Sequence, residues 1–579
     1  MSFEKYKSIW VADFEFKAAP GERPEVVCMV AHEVKSGRTI KLWGDALTSP
    51  QCPFDIGNDA LFVAYYASAE MGCHLALDWP LPINVLDLYA EFRVETNGKY
   101  LASGNGLLGA LAYYGEQGID ALEKTAMRDL ILRGGDYNTD EQQSILDYCE
   151  SDVVATAKLL RMMTKVLGGH RRHAFALNRG DYTKAVARME SNGIPVDVEM
   201  LERLRVNWSG MQDKLIARVD ENYGVYEGRT FKQARFLDYL QRHDIPWPML
   251  ASGRPALDDD TFADQCKTWS QLTPLKELRQ ALSRLRLADL PVGQDGRNRT
   301  MLSMFRSITG RNQPSNSKFI FGLSAWLRSL IKPQPGYGLV YVDWSQQEFG
   351  IAAALSGDER MRDAYLSGDP YLAFAKQAGA APLDATKASH GAIREQYKAC
   401  VLAVQYGMQE ESLGRRIQQP AVYARELLKI HRRTYPAFWR WSDETLDYAL
   451  TTQHLWTVFG WTLHVGSKPN TRSLRNFPMQ ANGAEMLRLA CCLAVESEIR
   501  VLAPIHDAVL IEAPLEELEE ATAAMQTCMR QASSVVLNGF ELRSDATTIA
   551  FPHRYVDERG SRMWELVNEL LPEAEAVTA

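Results

Sequence analysis

The residues most suited to chemistry in this chain are two aspartates, each set in an apolar run. Asp343 follows Gly338-Leu339-Val340-Tyr341-Val342, and Asp507 sits inside Val501-Leu502-Ala503-Pro504-Ile505-His506-Asp507-Ala508-Val509-Leu510-Ile511. Between them, Arg394, Lys398, Leu402 and Tyr406 recur every four residues up to Gly407. Paired carboxylates suit divalent cations and a stripe of Arg and Lys suits a triphosphate, which together are what two-metal phosphoryl transfer needs. The chemistry implied is nucleotidyl transfer.

Particular elements must hold these groups. The run before Asp343 is β-branched and aromatic, so it reads as a buried strand ending at the carboxylate. The run around Asp507 reads as a hairpin whose turn presents the aspartate. Brought side by side, the two carboxylates repel each other, and Mg²⁺ relieves that repulsion. The stretch from Arg394 has no Pro or Gly before Gly407, which predicts a helix that stops there. Steps of four residues drift by about 40°, so one slowly turning stripe carries Arg394 and Lys398 toward phosphates and Leu402 and Tyr406 toward a base.

A second constellation lies near the N-terminus. Ile9-Trp10-Val11-Ala12 leads as a strand into Asp13-Phe14-Glu15, and strand alternation puts both carboxylates on one face. Tyr148-Cys149-Glu150-Ser151-Asp152 opens a helical stretch with Tyr148 and Asp152 one turn apart. An Asp-x-Glu pair alone is commonly a solvated strand edge, and it gains meaning only from the Tyr-x3-Asp about 135 residues on.

With these motifs in order, the chain resembles a family A DNA polymerase of the bacterial DNA polymerase I type. The first motif of that family, Asp-Tyr-Ser-Gln-x-Glu, corresponds to Asp343-Trp344-Ser345-Gln346-Gln347-Glu348; its fingers-helix motif corresponds to Arg394, Lys398, Leu402, Tyr406 and Gly407; its His-Asp-Glu corresponds to His506-Asp507-Ala508. Thr309-Gly310-Arg311 and Asn476-Phe477-Pro478-Met479-Gln480 resemble lesser motifs of the family. The resemblance implies that Asp343, Asp507 and the Trp344 carbonyl bind two Mg²⁺, for which Mn²⁺ can substitute. It implies that Arg394 and Lys398 hold the dNTP triphosphate and that Tyr406 stacks near the templating position. Glu348 is then the gate that excludes a ribose 2′-OH, and Arg311, Gln480 and His506 meet primer-template DNA, the first two in the minor groove. Three departures stand out: Leu402 replaces an aromatic residue, Ala508 replaces the last acid of its motif, and Tyr371 sits where a phosphate-contacting His is common.

The N-terminal motifs resemble a proofreading 3′-5′ exonuclease of the DEDD type with a tyrosine. That resemblance implies metal ligation by Asp13, Glu15, Glu70 and Asp152, with Tyr148 orienting the attacking water. Glu70 fits the family's middle motif by register, and Asp87 is its rival. The expected architecture is α/β in a broad multidomain sense: an RNase H-like exonuclease domain over residues 1–175, a connecting segment and thumb over 176–300, and a right-hand palm over 301–579 with fingers inserted at about 358–455. This layout resembles a Klenow-type large fragment in compact phage-like form. Two alternatives are a single-subunit RNA polymerase, against which Glu348 argues, and a nuclease with a decayed polymerase domain, against which the retained Asp343, Asp507, Arg394 and Lys398 argue.

Composition fits a large enzyme. The 579 residues are 46% hydrophobic, enough for several cores, and no apolar run is long enough to span a membrane. The first strand starts so early that no signal or transit peptide is expected, and the protein is expected to be a cytoplasmic monomer with no membrane partner. Nine cysteines without a CxxC pair read as free thiols of a reducing compartment. The net charge of −9 is awkward for a DNA binder, so the basic stretch Arg279, Arg284, Arg286, Arg297, Arg299, Arg306 and Arg311 is expected to line the duplex path. A processivity factor is not identifiable.

Overall fold

Both faces of the central strands of the first sheet are buried, which is why those strands carry apolar runs. The computed structural model describes residues 3–116, 121–284, 289–405, 407–417 and 419–572. Five strands lie in the order Thr39–Trp43, Glu25–Glu33, Ser8–Lys17, Ala60–Ala64 and Val85–Asp87. The first two pairings are antiparallel and the last two parallel. One face packs Val11, Val30 and Val63 against Ile145, Cys149 and Val153 of helix Thr139–Leu167. The other packs Ala12, Phe14 and Phe62 against Met71 and Cys73 of helix Ser68–Ala76.

Helix Thr139–Leu167 starts well before Tyr148 instead of opening there. The cause is a capping box: the Asn138 side chain accepts from the Glu141 N–H while the Glu141 carboxylate accepts from the Asn138 N–H. Two orphan donors are satisfied at that point, which fixes the helix start. Tyr148 and Asp152 therefore lie in a helix interior, where their spacing is rigid.

The second sheet is four-stranded and antiparallel throughout, in the order Arg500–Ile505, Ala508–Pro514, Tyr337–Trp344 and Ser544–Ala550. Helix Leu518–Val536 packs on strand Tyr337–Trp344, and Gly338 permits it: a Cβ there would lie 2.4 Å from a Leu518 methyl. Between the two sheets in chain order, helices Val198–Asp220 and Thr273–Arg284 pack together. The stretch from 200 to 290, expected to be helical, also contains a short hairpin of Tyr226–Glu227 with Thr230–Phe231. A run of helices from Glu359 to Thr452 is inserted between strand Tyr337–Trp344 and the rest of its sheet.

Buried polar contacts tie the two sheet regions together. Arg179 donates to both oxygens of Glu91 at 2.6 and 2.9 Å and to the Phe459 carbonyl at 2.9 Å. Asn97 Nδ2 donates to the carbonyls of Ile308 and Thr462 at 2.8 and 2.9 Å. Breaking a buried pair such as Arg179–Glu91 by removing one partner costs about 3–5 kcal/mol, because a charge is left buried.

Three arginines expected along a duplex path serve the core instead. Arg297 is buried, with Nη2 2.8 Å from each Glu512 oxygen. Arg299 is buried against Asp295 and the Ser191 carbonyl. The Arg279 guanidinium lies over the rings of Phe231 and Phe262 at 4.4 and 4.6 Å. Arg306 remains exposed, whereas Arg286 and the Arg284 side chain lie outside the described residues. The composition-based reading failed because a guanidinium satisfies buried carboxylates and carbonyls as readily as phosphates.

No helix among the described residues is long and apolar enough to cross a membrane. All nine cysteines are free thiols, buried or partly buried.

Candidate active sites

The second sheet brings the two aspartates together. Strand Tyr337–Trp344 ends one residue past Asp343, and the hairpin between Ile505 and Ala508 turns at His506, which has φ 58° and is exposed. The Trp344 N–H donates to the Asp507 carbonyl at 3.3 Å, so the turn is laced to the strand end. Burial, then Asp507, then Asp545 push the Asp343 carboxyl up to about 6. Burial also raises Asp507, against the lowering effect of the Arg311 guanidinium and His506. Glu348, in the first turn of helix Gln347–Ser356, is raised by burial and lowered by the same Arg311. Asp343, Asp507, Glu348, Arg311 and His506 thus share one electrostatic neighbourhood.

Arg311 reaches it because Gly310 adopts φ +76° in a tight space; a Cβ there would lie 3.0 Å from the Trp461 ring. Gln480, on helix Thr471–Glu496, is half-buried, and no described contact joins it to this group.

Helix Gly391–Gln405 forms as its spacing predicts and packs against helix Gln347–Ser356. Gly407 follows at φ +63°, where a Cβ would lie 2.9 Å from the Arg472 side chain. Arg394 donates to Asp369 and to Glu395 at 2.5 Å each. The Tyr371 ring lies under both cations, 5.4 Å from Arg394 and 5.9 Å from Lys398. Leu402 is half-buried on the same helix, and Tyr406 lies outside the described residues.

In the first sheet, Asp13 and Glu15 face helix Thr139–Leu167, as alternation predicts. Burial first, then Asp152, Glu15 and Asp13 raise the Tyr148 hydroxyl. Glu70 lies in the first turn of helix Ser68–Ala76 and is almost wholly buried. Burial and then Asp13 raise its carboxyl strongly, and among the described residues its Oε2 has no hydrogen-bond partner. Asp87 instead caps helix Leu88–Thr96: its Oδ1 accepts from the N–H groups of Tyr66, Tyr89 and Ala90 at 3.0, 2.9 and 3.4 Å. Burial nevertheless lifts it to about 7.

Two groups had no motif to announce them. Cys149 Sγ donates to the Asp13 carbonyl and to its carboxylate at 3.3 and 3.6 Å, and ligand atoms of Asp13, Glu15 and Cys149 all lie within 4.8 Å of one another. Asp545 stands opposite Asp343 across the sheet. Cys149 could have been suspected from its place beside Tyr148; Asp545 is an isolated acid in a polar strand and carried no signal.

The fold resembles that of the POL domain of Pol1 from M. smegmatis, solved in complex with DNA primer-template and dNTP, with a TM-score of 0.69 at 16% identity over 93% of this chain and 94% of that one. Residues 294–545 match the family model described as DNA polymerase family A. This part of the chain is similar to that family. Relatives include DNA polymerase I of Deinococcus radiodurans, 25% identical over 65% of this chain and 42% of the relative, and the thermostable DNA polymerase I of Thermus thermophilus, 24% identical over 60% and 45%. The matched region therefore spans less than half the length of these two relatives.

Proposed function

We propose that this chain is a template-directed, primer-dependent DNA polymerase that extends 3′ ends with dNTPs, joined to a 3′-5′ exonuclease that proofreads. The observation that carries the reading is the convergence of Asp343, Asp507, Glu348 and Arg311 at one strand end within a family A domain. Two carboxyls raised by burial and, at Asp343, by the Asp507 and Asp545 carboxylates have the chemistry of a divalent-cation site. Asp343, Asp507 and the Trp344 carbonyl would hold Mg²⁺ or Mn²⁺, which when bound activates a 3′-hydroxyl and neutralises charge on attacking and leaving oxygens. Arg394 and Lys398 would bind the triphosphate, with Arg394 exchanging Asp369 for phosphate oxygens. Glu348 would fill the space a 2′-hydroxyl needs.

In the N-terminal part, Asp13, Glu15, Glu70 and Asp152 would hold metal, and Tyr148 would orient water. The unpartnered Glu70 oxygen beside Asp13 fits that role. On this reading residues 1–175 are the exonuclease-like domain, 176–300 the connecting segment and thumb, and 301–579 the palm with fingers at 358–455. Primer-template DNA and dNTPs are the partners of a monomer.

One assay tests both halves: extension of a primed template with a matched or a mismatched 3′ end. Asp343→Ala and Asp507→Ala should each lose at least ~10³-fold in extension, the scale of lost preorganised electrostatics, while DNA binding survives. Near-normal extension by either variant refutes the polymerase assignment, and no removal of a mismatched 3′ end by the parent refutes the exonuclease.

A further inference from the structure

We infer that Asp545 is a third carboxylate of the Asp343/Asp507 site, supplying the auxiliary negative charge that residue 508 does not carry; this rests on the polymerase reading above. Strand Tyr337–Trp344 runs between two antiparallel neighbours. At Asp343 the register sets Ala508 directly across one flank and Asp545 directly across the other. Side chains directly opposite in antiparallel strands share a face, with Cβ atoms roughly 4.5–5.5 Å apart. An acid on either flank would stand beside Asp343. The chain has Ala on one flank and Asp on the other.

The Asp545 side chain is anchored. The Ser345 hydroxyl donates to its Oδ2 at 2.5 Å. Ser345 is itself fixed, its N–H donating to the Arg543 carbonyl at 2.9 Å and its carbonyl accepting from the Tyr365 hydroxyl at 3.1 Å. Among the described residues, no donor reaches Oδ1. The nearest cation along the chain, Arg543, is turned to the Tyr365 carbonyl at 3.0 Å, so Arg543 does not offset the pair.

Like charges directly opposite across a sheet are destabilising. A cross-strand Asp–Asp pair held in place by a serine, beside a third aspartate, is an arrangement that a divalent cation would neutralise. The rest of strand Ser544–Ala550 contains no other charged residue, which distinguishes this placement from the scattered charges that commonly protect sheet edges.

The test is Mn²⁺ binding followed by electron paramagnetic resonance, alongside the Mg²⁺ dependence of primer extension. Both use an Asp13→Ala background, which disables the N-terminal site. Asp545→Asn keeps an acceptor for the Ser345 hydroxyl and removes only the charge. It should weaken Mn²⁺ binding and raise the Mg²⁺ concentration for half-maximal extension by about tenfold, the scale of lost supporting groups at metal sites. Asp545→Glu should stay near the parent in both. If Asp343→Ala loses Mn²⁺ binding and extension while Asp545→Asn matches the parent, Asp545 is only a strand-edge charge and the inference is overturned. If Asp343→Ala itself matches the parent, the polymerase reading fails and the inference falls with it.

Discussion

Replacing Asp343 by Asn should abolish extension yet stabilise the metal-free protein. Burial, Asp507 and Asp545 lift the carboxyl from 3.8 to about 6. At about 1.4 kcal/mol per tenfold change in proton affinity, that is about 3 kcal/mol of penalty on the ionised form. The group is partly open to solvent, so about 1–2 kcal/mol survives screening. A carboxyl whose folded-state value lies above its unfolded value favours the folded state while protonated. The parent should therefore be most stable relative to the variant below about pH 4, lose ground as pH rises to about 6, and stay level above. Asn does not titrate, so the variant's advantage should be near zero at pH 4 and about 1–2 kcal/mol at pH 8. Denaturant unfolding in EDTA at both pH values measures it, and adding Mg²⁺ should restore the parent but not the variant. Equal stabilities at pH 8, or an advantage already complete at pH 4, would refute the claim that Asp343 is held in an unneutralised carboxylate cluster.

Glu348→Ala should raise rNTP incorporation relative to dNTP by at least about tenfold, since a clash and an unpaired hydroxyl are both relieved; an unchanged ratio in competition assays places sugar selection elsewhere. Glu70→Ala should abolish release of 3′ nucleotides from single-stranded DNA with extension intact, whereas Asp87→Ala should keep that activity and lower the melting temperature through a lost cap worth about 1 kcal/mol. The reverse pattern would make Asp87 the ligand. Arg297→Met leaves the fully buried Glu512 carboxylate with only Arg500, 3.2 Å away, and should cost about 3 kcal/mol; adding Glu512→Leu should recover most of it. A melting temperature equal to the parent's for the single variant would show that the pair is dispensable.

The sequence by itself determined the local pieces. Apolar β-branched runs specified the strands that end near Asp343 and that carry Asp13 and Glu15. Four-residue spacing specified helix Gly391–Gln405, and the hairpin at Asp507 followed from two apolar arms about a polar turn. Each depends on periodicity within a few residues, which a chain carries whatever its neighbours are. Only the tertiary structure decided how those pieces are charged and paired. The Asp343–Asp545 opposition depends on register between strands distant in sequence, and no local pattern encodes register. Arg297 and Arg299 read as surface cations until Glu512 and Asp295 were found beside them. Glu70 and Asp87 are both buried acids near one motif; they part because three N–H groups converge on the Asp87 Oδ1 at a helix start, while Glu70 lies close enough to Asp13 for that carboxylate to raise it. What a buried charge does is set by what faces it across the fold, and that is fixed by packing rather than by spacing along the chain.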